Sequence, residues 1–138
     1  MISKEAEAVL VEAAVSARKN AYCPYSNYQV GASALGESGK IYSGCNVENA
    51  SLGLTCCAER AAIFSAISAG EKKLLAVCVA AKSAKPCGAC RQVMAEFLAK
   101  DAPVIIVDLG EEENQKKIRR VALSKILPMA FDPSEAGL

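Results

Sequence analysis

After Ser3, a side chain suited to capping the first free N–H groups of a helix, the apolar positions Ala6, Val9, Leu10, Ala13, Ala14 and Ala17 recur at helical spacing. That spacing predicts a first helix over residues 3–20. Residues 20–27 contain Pro24 and several turn formers and read as a loop. Two short strand-like runs, 29–35 and 40–47, flank Gly36-Glu37-Ser38-Gly39 and predict a β-hairpin. A second helix is expected over residues 57–70, stopped by Gly70. Ala58, Ala61, Ala62, Ser65, Ala66 and Ala69 give it a face of small residues, and Ile63, Phe64 and Ile67 make its other side apolar too. A helix apolar all round is usually buried. In a chain this short, that points to burial inside an oligomer as well as inside the domain.

Residues 74–81 (LLAVCVAA) form a continuous apolar run of strand length, as expected of a central strand covered on both faces. A loop through Pro86 leads to a third helix over 87–100, with Val93, Met94, Phe97 and Leu98 turned inward. Residues 104–109 (VIIVDL) read as another buried strand, 111–115 as a solvated turn, and 121–127 as a short amphipathic helix ended by Pro128. Strands alternating with helices predict an α/β layered fold, and 138 residues suit one domain over the whole chain.

Sixteen basic and fifteen acidic residues leave a formal charge of +1. Phosphate binding needs clustered Lys and Arg, so this balance argues against nucleic acid as a partner. No apolar run is long enough to cross a membrane, and none near the start resembles a secretory signal. A cytoplasmic setting is therefore expected, where thiols stay reduced. Seven cysteines, an odd number, cannot all pair within the chain. There is no histidine. A general base must then be a carboxylate, Lys, Tyr or Cys, and a soft metal site must be built from thiolates.

Those constraints converge on Pro86-Cys87-Gly88-Ala89-Cys90 and, 29 residues before it, Cys57-Ala58-Glu59. A lone C-x-x-C in a reduced chain is as often a redox pair or half a structural zinc site, and Cys78, inside a strand, reads as packing. Here, however, both motifs fall at expected helix starts. Free N–H groups and a partial positive charge there lower thiol pKa and favour thiolate ligands. Three sulfurs aimed at one ion leave a fourth position for water, the count of a catalytic rather than a structural zinc. Cys56 could in principle be a fourth ligand, but adjacent residues point in different directions. Glu59, in the first turn beside the ion, becomes a proton carrier for that water. Three thiolates on Zn²⁺ leave one net negative charge, for which Arg60 and Arg91 are the candidate hydrogen-bond donors to sulfur, Arg60 first.

Cys57-Ala58-Glu59-Arg60 together with Pro86-Cys87-Gly88-Ala89-Cys90-Arg91-Gln92 resembles the signature of the cytidine deaminases, in their small, all-cysteine, homotetrameric class. Gly44-Cys45-Asn46-Val47-Glu48-Asn49-Ala50 and Leu127-Pro128-Met129-Ala130-Phe131 resemble further family segments, so the likeness runs from about Tyr22 to Phe131. It implies a three-layer α/β/α fold with a mixed five-stranded sheet. It also implies one zinc ion on Cys57, Cys87 and Cys90, with Glu59 as catalytic proton shuttle and Arg60 neutralising a ligating thiolate. Asn46 and Glu48 would bind the ribose 3′-hydroxyl, and the Ala58 backbone would contact the pyrimidine. Tyr28 would line the base pocket, where the family commonly has Phe. Phe131 would stack on the base from a neighbouring subunit, in a homotetramer with shared sites. Leu52 departs from the aromatic residue often found near the sugar.

The implied reaction is hydrolysis of free cytidine or deoxycytidine to the uridine nucleoside and ammonia, a step of pyrimidine salvage. A deaminase of a related nucleoside or nucleoside antibiotic would share the zinc motifs. A polynucleotide editor would need a basic groove. A non-catalytic zinc module or a Cys87/Cys90 redox protein would leave Glu59, Asn46 and Glu48 without a common purpose.

Overall fold

The computed structural model describes residues 2–112 and 115–138. Helix α1 (Lys4–Ala17) is capped as expected, Ser3 Oγ accepting the Ala6 N–H at 3.1 Å, and it runs out in a 3₁₀ turn over Arg18–Asn20. Strands β1 (Gly31–Gly36) and β2 (Ile41–Cys45) form the expected hairpin. Helix α2 (Ala58–Ser68), strand β3 (Leu74–Ala81), helix α3 (Gly88–Phe97) and strand β4 (Pro103–Leu109) follow. Strand β5 (Lys116–Ala122) and the one-turn helix α4 (Leu123–Ile126) complete the chain's elements.

The five strands make one mixed sheet in the order β2-β1-β3-β4-β5. β3 and β4 are parallel, joined by α3, and every other neighbouring pair is antiparallel. Because strand side chains alternate between faces, β3 serves two cores. Ala76, Cys78 and Ala80 pack with Leu10, Val11 and Ala14 of α1, while Val77, Val79 and Ala81 pack with Ala62, Ile63 and Ala66 of α2 and Met94 of α3. The outcome is three layers, α1 on one face and α2 with α3 on the other. The small-residue face of α2 has a steric reason. A Cβ added at Gly44 of β2 would lie 2.5 Å from the Ala62 nitrogen and 2.8 Å from the Ala61 Cβ, so helix and strand approach backbone to backbone.

Three expectations are revised. β5 was not legible in the hydrophobic pattern: it is an edge strand whose first five residues are exposed and include four cations. Backbone pairing to β4 sustains it, with Val121 near its end packed against the core, and charged edge residues oppose further strand addition. Val121 and Ala122 finish that strand, so the helix expected over 121–127 shrinks to α4. The third helix ends at Phe97, because Leu98 turns extended and bridges Leu74. The turn expected over 111–115 lies partly outside the described residues. Among those residues, no helix is long and apolar enough to cross a membrane. The outer side of α2 stays open in the single chain, Phe64 being 46% exposed.

Candidate active site

α2 and α3 lie side by side on one face of the sheet, and both begin at a cysteine. Cys57 is the N-cap of α2 and Cys87 the N-cap of α3, each in extended backbone, with Cys90 in the first turn of α3. The extended cap conformation directs each cap side chain back over the free N–H groups of its own helix. The three sulfurs therefore converge. Cys57 Sγ is 3.9 Å from Cys87 Sγ, Cys87 Sγ is 3.5 Å from Cys90 Sγ, and all three lie within 4.8 Å of one another.

A tetrahedral ion with metal–sulfur bonds of about 2.3 Å needs sulfurs about 3.8 Å apart. The observed spacing meets that requirement, so the residues present fit zinc. Charge fits as well. Arg60 donates from Nη2 to Cys57 Sγ at 3.2 Å and to the Thr55 carbonyl at 3.3 Å. Its Nε is the one buried side-chain nitrogen among the described residues without a hydrogen-bond partner, and a guanidinium so placed is best tolerated against an anionic cluster. The neighbouring Cys90 sulfur and the Arg60 guanidinium hold the Cys57 thiol well below its ordinary value. Cys90, beside that thiolate and buried, is pushed the other way, above its ordinary value.

Glu59 is only 4% exposed, in the first turn of α2. Burial pushes its carboxyl up to about 7 and the Cys57 thiolate adds to the rise, while its own backbone N–H and the Cys90 thiol oppose it. A buried carboxyl that gains and loses a proton near neutrality is suited to proton transfer. Ala58, fully buried, precedes it.

The remaining expected residues bond first to other parts of the protein. Asn46 Oδ1 accepts the Val30 N–H at 2.9 Å and its Nδ2 donates to the Tyr28 carbonyl at 2.7 Å. Glu48 accepts the Tyr25 and Ser26 N–H groups at 3.0 and 3.2 Å and the Ser26 hydroxyl at 2.5 Å. The Ser26 hydroxyl in particular holds the Glu48 carboxyl below the usual carboxylate range. Tyr28 donates its hydroxyl to the Lys82 carbonyl at 2.5 Å, a contact its Phe counterpart could not make. Phe131 is exposed, its carbonyl accepting from Gln92 Nε2 at 3.2 Å beside a concavity of about 880 Å³ that no cysteine lines. Leu52 is exposed on a 3₁₀ turn.

Arg91 departs from its expected use. It reaches no sulfur and instead donates to the Pro86 carbonyl at 2.7 Å and the Ile126 carbonyl at 2.8 Å. Cys56 points away from the trio, its thiol donating to the Cys57 carbonyl at 3.6 Å, and Cys78 is buried in β3 as expected. Sequence reasoning missed Asp108, which accepts the Ala84 N–H at 2.7 Å in the loop before Cys87. The available signal was its place as the one charged residue of the apolar run VIIVDL.

Residues 4–106 match the family model described as the cytidine and deoxycytidylate deaminase zinc-binding region. A cytidine deaminase of Halalkalibacterium halodurans is 45% identical over 89% of this chain and 92% of its own length. One of Sporosarcina psychrophila is 42% identical over 91% of each. The crystal structure of cytidine deaminase from Burkholderia pseudomallei superposes with a TM-score of 0.82 at 41% identity, covering 94% of this chain and all of that one. That from Mycobacterium tuberculosis gives 0.76 at 37% identity, over 91% and 97%. With a zinc-spaced sulfur trio, a buried glutamate at its edge and this degree of likeness along nearly its full length, the chain belongs to the cytidine and deoxycytidylate deaminase family.

Proposed function

We propose that the chain hydrolyses free cytidine and deoxycytidine to uridine and deoxyuridine, releasing ammonia. One observation carries the reading: three sulfurs at metal spacing with Glu59 buried beside them. Cys57, Cys87 and Cys90 would hold the zinc ion, which when bound supplies a Lewis acid that lets water act as a nucleophile near neutral pH. Glu59 takes the proton that water gives up and delivers it to N3 of the pyrimidine as the oxygen adds at C4. Glu59 then takes the proton of the new C4 hydroxyl and carries it to the exocyclic amine, the C4–N bond breaks, C4 keeps its oxygen as a carbonyl, and ammonia leaves. Arg60 offsets the excess negative charge of three thiolates.

Asn46 and Glu48 suit the sugar. Asn46 retains one amide hydrogen beyond its bond to Tyr28, and Glu48 is ionised at neutral pH with lone pairs to spare. A carboxylate there accepts a sugar hydroxyl and repels a phosphate, which favours nucleosides over nucleotides. Tyr28 and the Ala58 backbone would border the base. Large apolar side chains, among them Leu52, Leu54, Phe64 and Phe131, stand exposed on the single chain. Surface of that kind supports a homotetramer in which Phe131 closes a neighbour's site.

The test is zinc quantification on pure protein, followed by ultraviolet monitoring of cytidine loss with and without a chelator. About one zinc per chain and chelator-sensitive turnover are expected. Turnover by metal-free protein would refute the reading.

A further inference from the structure

The loop from β3 to α3 carries Cys87 at its end and is tied by a side chain at every second residue. Tyr28 donates to the Lys82 carbonyl, Asp108 accepts the Ala84 N–H, and Arg91 donates to the Pro86 carbonyl. The three ties come from separate elements: the segment before β1, the end of β4, and α3 itself. Between the first two, Ser83 has φ +51°. That left-handed conformation is uncommon for a residue with a side chain and persists where the surroundings impose it.

Asp108 is the central tie. Its Oδ1 takes the Ala84 N–H, and its Oδ2 is held at 3.0 Å by Arg119 Nη2 from β5. One carboxylate thus connects the edge strand to the loop three residues before a metal-ligating sulfur. This gives β5, whose outer residues touch no core, a purpose in the site. Asp108 is paired across β4–β5 with Lys117 in register, so Arg119 reaches it along the strand from two residues away on the same face.

We propose that Asp108, oriented by Arg119, is a positioning residue for zinc: it sets the loop conformation that places the Cys87 sulfur opposite Cys57. The proposal rests on the zinc-site reading above. Residues that orient metal ligands through one intermediary typically change metal affinity about ten- to hundredfold when removed. Asp108 acts through the Ala84 backbone rather than on the sulfur itself, so the lower half of that range is expected.

The test titrates the zinc-loaded full chain and its Asp108→Ala, Asp108→Asn and Arg119→Ala variants against a chromophoric zinc chelator, alongside denaturation of the metal-free forms. Asp108→Ala should weaken zinc affinity about tenfold or more. Asp108→Asn, which keeps an acceptor for the Ala84 N–H, should recover most of the loss. Arg119→Ala, which removes only a partly exposed ion pair, should weaken zinc in the same direction by up to about fivefold, and it carries the test if Asp108→Ala does not fold. Unchanged zinc affinity with a lowered denaturation midpoint in all variants would make Asp108 a structural residue and overturn the proposal. Failure of the unaltered chain to take zinc would overturn the zinc-site reading along with it, which separates the two failures.

Discussion

Glu59→Gln tests the chemistry most directly. Glutamine has the shape of the buried carboxyl it replaces, so no cavity opens at a position only 4% exposed. The three sulfurs are untouched, and zinc content should stay at the unaltered level. What disappears is the ability to accept and return a proton. A positioned general acid or base contributes about 10²–10⁴-fold to a proton-transfer step, and the proposed mechanism gives one side chain two such steps, at N3 and at the amine. With no histidine in the chain to substitute, turnover should fall by at least about 10³-fold, equivalent to about 4 kcal/mol of barrier. The assay is single-turnover ultraviolet absorbance at saturating cytidine, with zinc measured on the same sample. A variant that keeps its metal and retains activity within tenfold of the parent would refute the proton-shuttle assignment.

Arg60→Ala removes the 3.2 Å hydrogen bond to the Cys57 sulfur and should weaken zinc binding about ten- to hundredfold by chelator competition. Arg60→Lys should recover only part of that, since it lacks the planar fork that spans sulfur and the Thr55 carbonyl. Gly44→Ala drives a methyl group into the α2 backbone and should cost about 1–3 kcal/mol in chemical denaturation. Glu71, clasped by Ser38 and Tyr42, has its carboxyl held below the ordinary 4.5, chiefly by the Ser38 hydroxyl. Its contribution is complete above that ordinary value and fades as pH falls through the depressed folded one. Melting temperatures of the parent and Glu71→Gln should therefore differ near neutrality and converge in acid.

Most of the elements could be read from local pattern because each buries a face whose period the chain itself displays. The helical spacing from Ala6 to Ala17 and the unbroken run LLAVCVAA correspond to α1 and β3 almost residue for residue. The metal trio was legible for a related reason. Cys57, Cys87 and Cys90 are brought together by two helix starts, and helix starts leave local signals. What failed was whatever lacked a local signal. β5 is charged over most of its length, with only Val121 packed against the core, and it depends on the row of backbone partners that β4 offers. Arg91 follows a ligand in sequence, yet its reach ends on two carbonyls rather than a sulfur.

Sequence alone thus determined the chemistry available: thiols without histidine, one acidic side chain in the Cys57 motif, one cation beside it, and helices to lower thiol pKa. Tertiary structure decided what depends on distances between segments remote along the chain. It brought the three sulfurs to zinc spacing, pushed the Glu59 carboxyl upward by burying it, and hung the Cys87 loop from Tyr28, Asp108 and Arg91. Side-chain type and periodicity are local properties of a chain. Ligand spacing, desolvation and through-space hydrogen bonds arise only when distant parts of it share one volume.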